Sequence, residues 1–547
     1  MSSKHNSASD DNHEKSTSQP NRTSFWDRLK SIPADRLAWL WLLVGFLLLP
    51  FTAWQIVIPL AAWLAPVFLL RFVRTCSQPR LIAPLIFAAF TGAILIDWRN
   101  GAGDTLSVLI GIIMGLVHGI LYMLPYLADR RIGSRLGSWG QLLVFPLAFT
   151  TVDWCMSLLK TVSTAGSPAY SQYSILPLIQ IISVTGMWGL TFLIMWFATT
   201  VNALWEHRFH WRPVQAKLGL YAGILLAAFL FGDLRLIFTQ KQFSDASVPS
   251  VEAATVTNES IFNVLYSMDL GNFYRSSDAE RAAVRPEFEA VNDRLFARIE
   301  TALQAGAKIV GTQETAGLVL EEDKPQVLNR ASALARQYGA YLEISLWVFI
   351  GSPALPYIQN QSILIDPAGQ IDWTYDKTYP VFGGENFIVI AGAGNLPVVD
   401  TPYGRLSTAI CNDLHFPALI RQAGQKNVDI LIAPFNDDPT IDTQDPAEAA
   451  YRTIENGFSL IRAAGRGISM ISDPEGRLLG SQDYFTTGSH VMLATLPIHA
   501  EMTIYSRIGD MFAYLCVAGL ALLTAKAFIP RKRLVSVQRA SSESGAG

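Results

Sequence analysis

The sequence predicts a multi-pass α-helical membrane domain joined to an α/β domain outside the membrane. Three observations carry this prediction: apolar blocks recur across residues 37–238, a last apolar block covers 511–529, and helical and strand patterns alternate between them. With 547 residues and 50% hydrophobic side chains, and a mean hydropathy of +0.27, the chain is too apolar for an ordinary soluble protein. It is long enough for a membrane part plus one large domain. A net charge of -3 and a pI near 6.3 come with no basic stripe or aromatic-interleaved Lys/Arg face, which sets nucleic acid aside as a partner.

Residues 1–24 are polar, with almost nothing apolar to offset the entropy of ordering, and are expected to form a disordered cytoplasmic tail. About seven spans follow by the roughly 20-residue rule, near 37–52, 54–72, 81–97, 105–127, 139–159, 174–204 and 216–238. The first two share the break between Pro50 and Trp54, so a helical hairpin and two full spans both fit. Positive charge sets the orientation, because Lys and Arg collect in cytoplasmic loops. Arg28, Lys30 and Arg36 precede the first span; Arg71, Arg74 and Arg80, then Arg130, Arg131 and Arg135, then Arg208, Arg212 and Lys217 occupy alternate breaks; Arg531, Lys532 and Arg533 follow the last span. Both termini are therefore expected in the cytoplasm of a bacterial cell. The expected organisation is a transmembrane domain at 25–239, an extracytoplasmic domain at 240–509, a C-terminal transmembrane helix at 510–530 and a cytoplasmic tail at 531–547.

This topology places Cys76 in a cytoplasmic loop, Cys155 and Cys516 inside spans, and only Cys411 in the extracytoplasmic domain, where no disulfide framework can form. By position alone Cys411 reads either as a buried structural thiol or as a nucleophile.

Within 240–509, Phe288, Val291, Leu295, Ile299 and Ala302 share one helix face before Gly306, and Val327, Ala331, Leu334 and Tyr338 repeat the pattern before Gly339. Strands are expected at 308–311, 341–347, 362–366, 407–411, 429–434, 468–472 and 491–496. Three polar residues fall just past strand ends, where α/β folds keep their chemistry: Glu314, Lys377 and Cys411. A thiol nucleophile needs a base for its proton and a positive donor for the oxyanion of its tetrahedral intermediate, and a Glu and a Lys supply both. Leu414, Phe416, Ala418, Leu419 and Ile420 suggest a short helix after Cys411, so that the thiol would sit at a strand-to-helix turn.

At these residues the chain resembles the nitrilase (carbon-nitrogen hydrolase) superfamily over roughly 250–500. The nucleophile motif is Ile410-Cys411-Asn412-Asp413-Leu414-His415-Phe416-Pro417, the lysine motif is Tyr375-Asp376-Lys377, and Glu385 lies where that superfamily has a second glutamate. Arg452-Thr453-Ile454-Glu455-Asn456-Gly457, Ile461-Arg462 and Asp473-Pro474-Glu475-Gly476 resemble its later elements. Such a domain placed before a last membrane helix resembles the apolipoprotein N-acyltransferase family; Ser171-Gln172 and the stretch from Pro177 to Phe192 look like that family's membrane portion.

The resemblance implies a nitrilase-like four-layer αββα sandwich and a ping-pong reaction. Cys411 would take an acyl chain from a phospholipid as a thioester and pass it to the α-amine of a diacylglyceryl-cysteine at a lipoprotein N-terminus. Glu314 would be the base, Lys377 the oxyanion stabiliser and Glu385 the residue that orients Lys377. Phe382, Phe387 and Asp413 would contact substrate, with Trp347 and Phe349 near cover loops. No metal and no organic cofactor are implied, and a monomer in the plasma membrane is expected. His415 is expected to be structural. Thr312-Gln313-Glu314 stands where the acyltransferases usually read Trp-Pro-Glu, and the segment from Lys377 to Cys411 is short for them. The alternative is therefore a membrane-anchored carbon-nitrogen hydrolase that uses the same residues with water as acceptor.

Overall fold

The computed structural model describes residues 34–529 except 54–55, 99–104, 162, 244–247, 438–443, 487 and 489. The expected tails at 1–24 and 531–547 lie outside the described residues. The membrane part contains helices α1 (Ala34–Leu48), α2 (Pro59–Thr75), α3 (Pro79–Trp98), α4 (Thr105–Arg131), α5 (Ser138–Ser157), α6 (Met187–Glu206) and α7 (Gln215–Phe243), and a further long helix, Met511–Phe528, closes the described chain. Among the described residues, five helical stretches are long and apolar enough to cross a membrane: Pro79–Ile96, Val108–Arg135, Met187–Glu206, Arg212–Lys241 and Met511–Phe528.

The apolar block at 174–204 is not one helix. Two short turns, Leu176–Ile179 and Ile182–Thr185, precede α6, and Gly186, at the join of the second turn and α6, has φ +63. A side chain on Gly186 would run into the ring of Tyr505, so the left-handed break and the close approach both require glycine. Polar residues in this region are buried and used: Gln172 accepts from the Trp63 indole at 2.9 Å and donates to the Pro59 carbonyl at 3.0 Å. Within α5, Asp153 accepts from Tyr122 on α4, from Ser167, and from Thr191 on α6 at 2.8–3.0 Å. Hydropathy alone reads such a segment as continuous because its polar atoms are satisfied by neighbouring helices.

Among its described residues the α/β domain has thirteen strands: β1 (Ser250–Val256), β2 (Ile309–Thr312), β3 (Gly317–Leu320), β4 (Tyr341–Phe349), β5 (Ile358–Ile365), β6 (Ile371–Asp376), β7 (Val398–Thr401), β8 (Gly404–Thr408), β9 (Ile430–Asn436), β10 (Ser459–Gly465), β11 (Ile468–Ser472), β12 (Leu478–Asp483) and β13 (Val491–Pro497). One sheet runs β13-β1-β2-β4-β5-β6 with β3 on β4, and the other runs β12-β11-β10-β9-β8-β7. The sheets meet face to face where a Cβ on Gly311 of β2 would lie 2.9 Å from Ile432 of β9 and 3.2 Å from Ile461 of β10. Helices α8 (Asp278–Gln304) and α9 (Lys324–Tyr338) cover the first sheet. Helices α10 (Pro417–Gln425) and α11 (Gln444–Asn456) cover the second. With the terminal helix Met511–Phe528 as α12, the four-layer αββα sandwich beside a multi-pass helical domain is the fold expected from sequence.

The sandwich is seated on one end of the helical bundle through buried polar contacts. Tyr451 donates to the Ala169 carbonyl at 2.6 Å, the Met187 amide donates to Glu455 at 2.8 Å, and Gln180 donates to the Glu475 carbonyl at 2.9 Å. Fully buried Arg452 pairs with Glu455 and donates to Tyr170. At the start of α12, Asp510 accepts from the indoles of Trp154 and Trp188 at 3.1 and 2.8 Å.

Candidate active site

Glu314, Lys377 and Cys411 come from three different loops, each just beyond the end of a strand: β2, β6 and β8. Lys377 is fully buried, and its Nζ donates to Glu314 Oε1 at 2.7 Å and to Glu385 Oε2 at 2.6 Å. Glu314 also accepts from the Asn360 side chain at 2.7 Å, and Glu385 from the Val381 amide at 3.0 Å. The Cys411 thiol points to the Asn436 carbonyl at 3.9 Å, and the Asn436 side chain donates to the Glu314 carbonyl at 2.8 Å. Asn436 therefore connects the nucleophile candidate to the base candidate across the two sheets.

The electrostatics follow from burial and from one cation. Burial pushes the Glu314 carboxyl up, the ammonium of Lys377 opposes this, and Glu385 adds to it. Burial works against the Lys377 ammonium, yet Glu314, Glu385 and Cys411 outweigh it and hold its pKa well above the ordinary lysine value. Burial and then Glu314 push the Cys411 thiol well above its ordinary value, with Lys377 acting the other way. A thiol held in its protonated form needs a base at the moment of attack, and a desolvated carboxylate is a stronger base than one in water.

Cys411 itself has φ +46, a left-handed conformation rare for a residue with a side chain. It opens a 3-10 turn, Cys411–His415, that leads into α10. Asp413 is the reason the turn keeps this shape. Its carboxylate accepts from the Ile410 amide at 3.1 Å, the Tyr379 amide at 2.8 Å and the Tyr375 hydroxyl at 2.7 Å, which fastens the lysine loop to the nucleophile turn. Asp413 was expected to contact substrate. It is fully buried and both its oxygens are occupied, so it acts on the turn instead.

Phe382 lies on the loop between Lys377 and the short helix Glu385–Ile388, and Phe387 lies in that helix; Phe382 is half-buried and Phe387 is 55% exposed. The same loop touches the helical bundle, since a Cβ on Gly383 would meet Ile110 of α4. Trp347 and Phe349, expected near cover loops, are buried in β4 among Phe273, Phe288 and Tyr357, where the continuous apolar strand makes them core. Asn360 and Asn436 escaped sequence reasoning. Their signal is a polar residue inside or at the end of an otherwise apolar strand, which demands a partner. Among the described residues no group of three or more His, Cys, Asp or Glu side chains is placed to hold a metal ion.

Comparison with known proteins accounts for both parts of the chain. Residues 280–501 match the carbon-nitrogen hydrolase family, and residues 37–200 match the apolipoprotein N-acyltransferase N-terminal domain. The chain is 27% identical over 416 residues to the apolipoprotein N-acyltransferase of Geobacter metallireducens, covering 71% of this chain and 74% of that one. It is 24% identical over 432 residues to that of Bradyrhizobium diazoefficiens, covering 72% and 74%. An amidase from Nesterenkonia sp. of known structure is 19% identical, with 49% of this chain and 98% of that chain covered at a TM-score of 0.36. With a matching membrane domain, a matching carbon-nitrogen hydrolase domain in the same order, and relatives aligned across both, the chain is similar to the apolipoprotein N-acyltransferases in each of its two parts.

Proposed function

We propose that this protein is an N-acyltransferase that moves an acyl chain from a phospholipid, through a thioester on Cys411, to the α-amine of the diacylglyceryl-cysteine at a lipoprotein N-terminus. The observation that carries the reading is the Glu314–Lys377–Glu385 cluster, with Glu314 and Lys377 buried, beside Cys411 in a sandwich seated directly on a membrane bundle.

In the first half-reaction Glu314 takes the thiol proton while Sγ attacks the ester carbonyl carbon. Lys377, held by two carboxylates, donates to the developing oxyanion. Collapse of the tetrahedral intermediate breaks the ester C–O bond, and Glu314 returns the proton to the departing lysophospholipid oxygen. In the second half-reaction the neutral amine attacks the thioester carbonyl. Glu314 accepts the amine proton, the C–S bond breaks, and the thiolate recovers the proton as the amide leaves. Glu385 holds Lys377 in place without touching the reacting carbonyl. Phe382 sits on the loop that reaches α4 and Phe387 on the short helix that follows it, which suits contact with an acyl chain rising from the bilayer.

In this reading both termini are cytoplasmic, and residues 240–509 face the periplasmic or outer side of the plasma membrane, following the alternation of Lys and Arg between breaks. The chain works as a monomer, since one copy supplies Glu314, Lys377, Glu385 and Cys411. The test is a burst experiment without acceptor. Detergent-purified protein given phospholipid should release about one equivalent of lysophospholipid and then stop, as covalent catalysis requires. Continuous release of lysophospholipid and free fatty acid would make water the acceptor and the protein a hydrolase.

A further inference from the structure

The nucleophile turn carries a second charged cluster that the reaction above does not use. His415 closes the turn that Cys411 opens, and its ring lies between two carboxylates of α11. Nδ1 pairs with Glu448, and Nε2 lies 3.6 Å from Asp445. Asp445 shares a hydrogen bond with Asp437 just past the end of β9, and one guanidinium nitrogen of Arg462 on β10 donates to both Asp437 oxygens at 2.6 and 2.8 Å. Asp437, Asp445, Glu448 and Arg462 are buried, and the His415 side chain is 12% exposed. Asp437 directly follows Asn436, whose carbonyl faces the thiol. The backbone carbonyl of His415 accepts from the hydroxyls of Ser163 and Thr164 in the bundle, so the turn is clamped from below as well.

We propose that His415, as an imidazolium, is a positioning residue for Cys411: it balances the buried Asp445 and Glu448 carboxylates behind the nucleophile turn and so sets the electrostatic field in which the thiol ionises. The inference rests on Cys411 being the nucleophile. Three carboxyl groups gather here against two cations, His415 and Arg462, with Arg452 one turn further along α11; the hydrogen bond between Asp437 and Asp445 holds one proton, so the charges balance while His415 is protonated. Removing one cation leaves like charges in contact, a state that buried groups avoid by binding protons or by shifting apart. Asp445 is among the groups that raise the Cys411 thiol, alongside Glu314 and Glu385, with Lys377 opposing. Burial disfavours the charged ring, but Glu448 and Asp445 prevail and raise His415 to about 9, which keeps it charged at neutral pH. Tyr170, bonded to Thr164 and Arg452, and Tyr173, beside Arg462, are titratable groups facing the cluster from the bundle.

The test is the pH profile of Cys411 alkylation by iodoacetamide in the full-length protein, read as the mass of the Cys411 peptide because Cys76, Cys155 and Cys516 also carry thiols. His415→Gln should shift the profile up by about one unit, a roughly tenfold slower reaction at a fixed pH below the midpoint. Asp445→Asn added to His415→Gln should move it back. A purely structural role would lower the melting temperature and leave the profile of folded protein in place, which overturns the proposal. Should His415→Gln fail to fold, Asp445→Asn alone carries the test: a downward shift supports the proposal, and an unchanged profile overturns it. Alkylation needs no lipid, so failure of acyl transfer in the unaltered protein is a separate result.

Discussion

Lys377 Nζ lies 2.7 Å from Glu314 Oε1, with both groups removed from solvent. A buried pair is costly to break from one side, because the charge left behind has neither water nor a partner. Lys377→Met should abolish activity and destabilise the protein by about 3–5 kcal/mol. Adding Glu314→Gln should recover much of the stability and none of the activity, checked by thermal melting beside a lysophospholipid release assay.

Asp413 separates shape from charge. Asp413→Ala removes the acceptor for Ile410, Tyr379 and Tyr375 at once, and buried donors left unmade cost about 1–3 kcal/mol each. The expected outcome is a lower melting temperature and a Cys411 that alkylates like an unconstrained thiol. Asp413→Asn should keep more of the fold while losing most activity, because its amide nitrogen meets donors on one side.

Glu343 should give the stability curve a falling arm. It is buried in β4, accepts from the Thr312 amide at 2.8 Å and from Ser362 at 2.8 Å, and burial pushes its pKa up to about 8. The folded protein thus keeps a proton that the unfolded chain releases near pH 4.3, so this group's contribution to stability declines as pH rises from there toward 8. Glu343→Gln should fold normally and flatten that decline, measured by melting temperature between pH 5 and 8.

The seat of the sandwich on the bundle should depend on Arg452. Arg452→Met leaves Glu455 buried with the Met187 amide as its remaining partner, an expected loss of about 3–5 kcal/mol. The double substitution with Glu455→Gln should restore most of it. Limited proteolysis at the junction would show the opening and its reversal.

Much of this was legible in the sequence. Residues 468–472 read as a strand and are β11, and the faces carrying Leu295 and Ile299, and Ala331 and Leu334, are the inner faces of α8 and α9. Both signals are local periodicities that tertiary packing reinforces. The edge strands β7 and β12 were not legible: they are short and partly exposed, and their pairing is decided by a neighbour rather than by their own pattern. Glu314, Lys377 and Cys411 were visible as residues just past strand ends, and Glu385 through motif resemblance alone. Asn360, Asn436 and the partners of His415 were not, because their roles exist only after distant segments meet, such as β5 with the loop after β2. The break at Gly186 was hidden for the same reason, since the catalytic domain satisfies the polar atoms that would otherwise mark it.

The most direct measurement is the mass of the Cys411 peptide after detergent-purified protein is incubated with phospholipid, beside Cys411→Ala, followed by addition of a diacylglyceryl-cysteine peptide. The expected result is a hydroxylamine-labile acyl adduct on Cys411 that disappears as the peptide amine gains the same acyl mass. An unmodified Cys411 with every phospholipid tried, together with Cys411-dependent turnover of small amides, would contradict acyl transfer and identify a hydrolase.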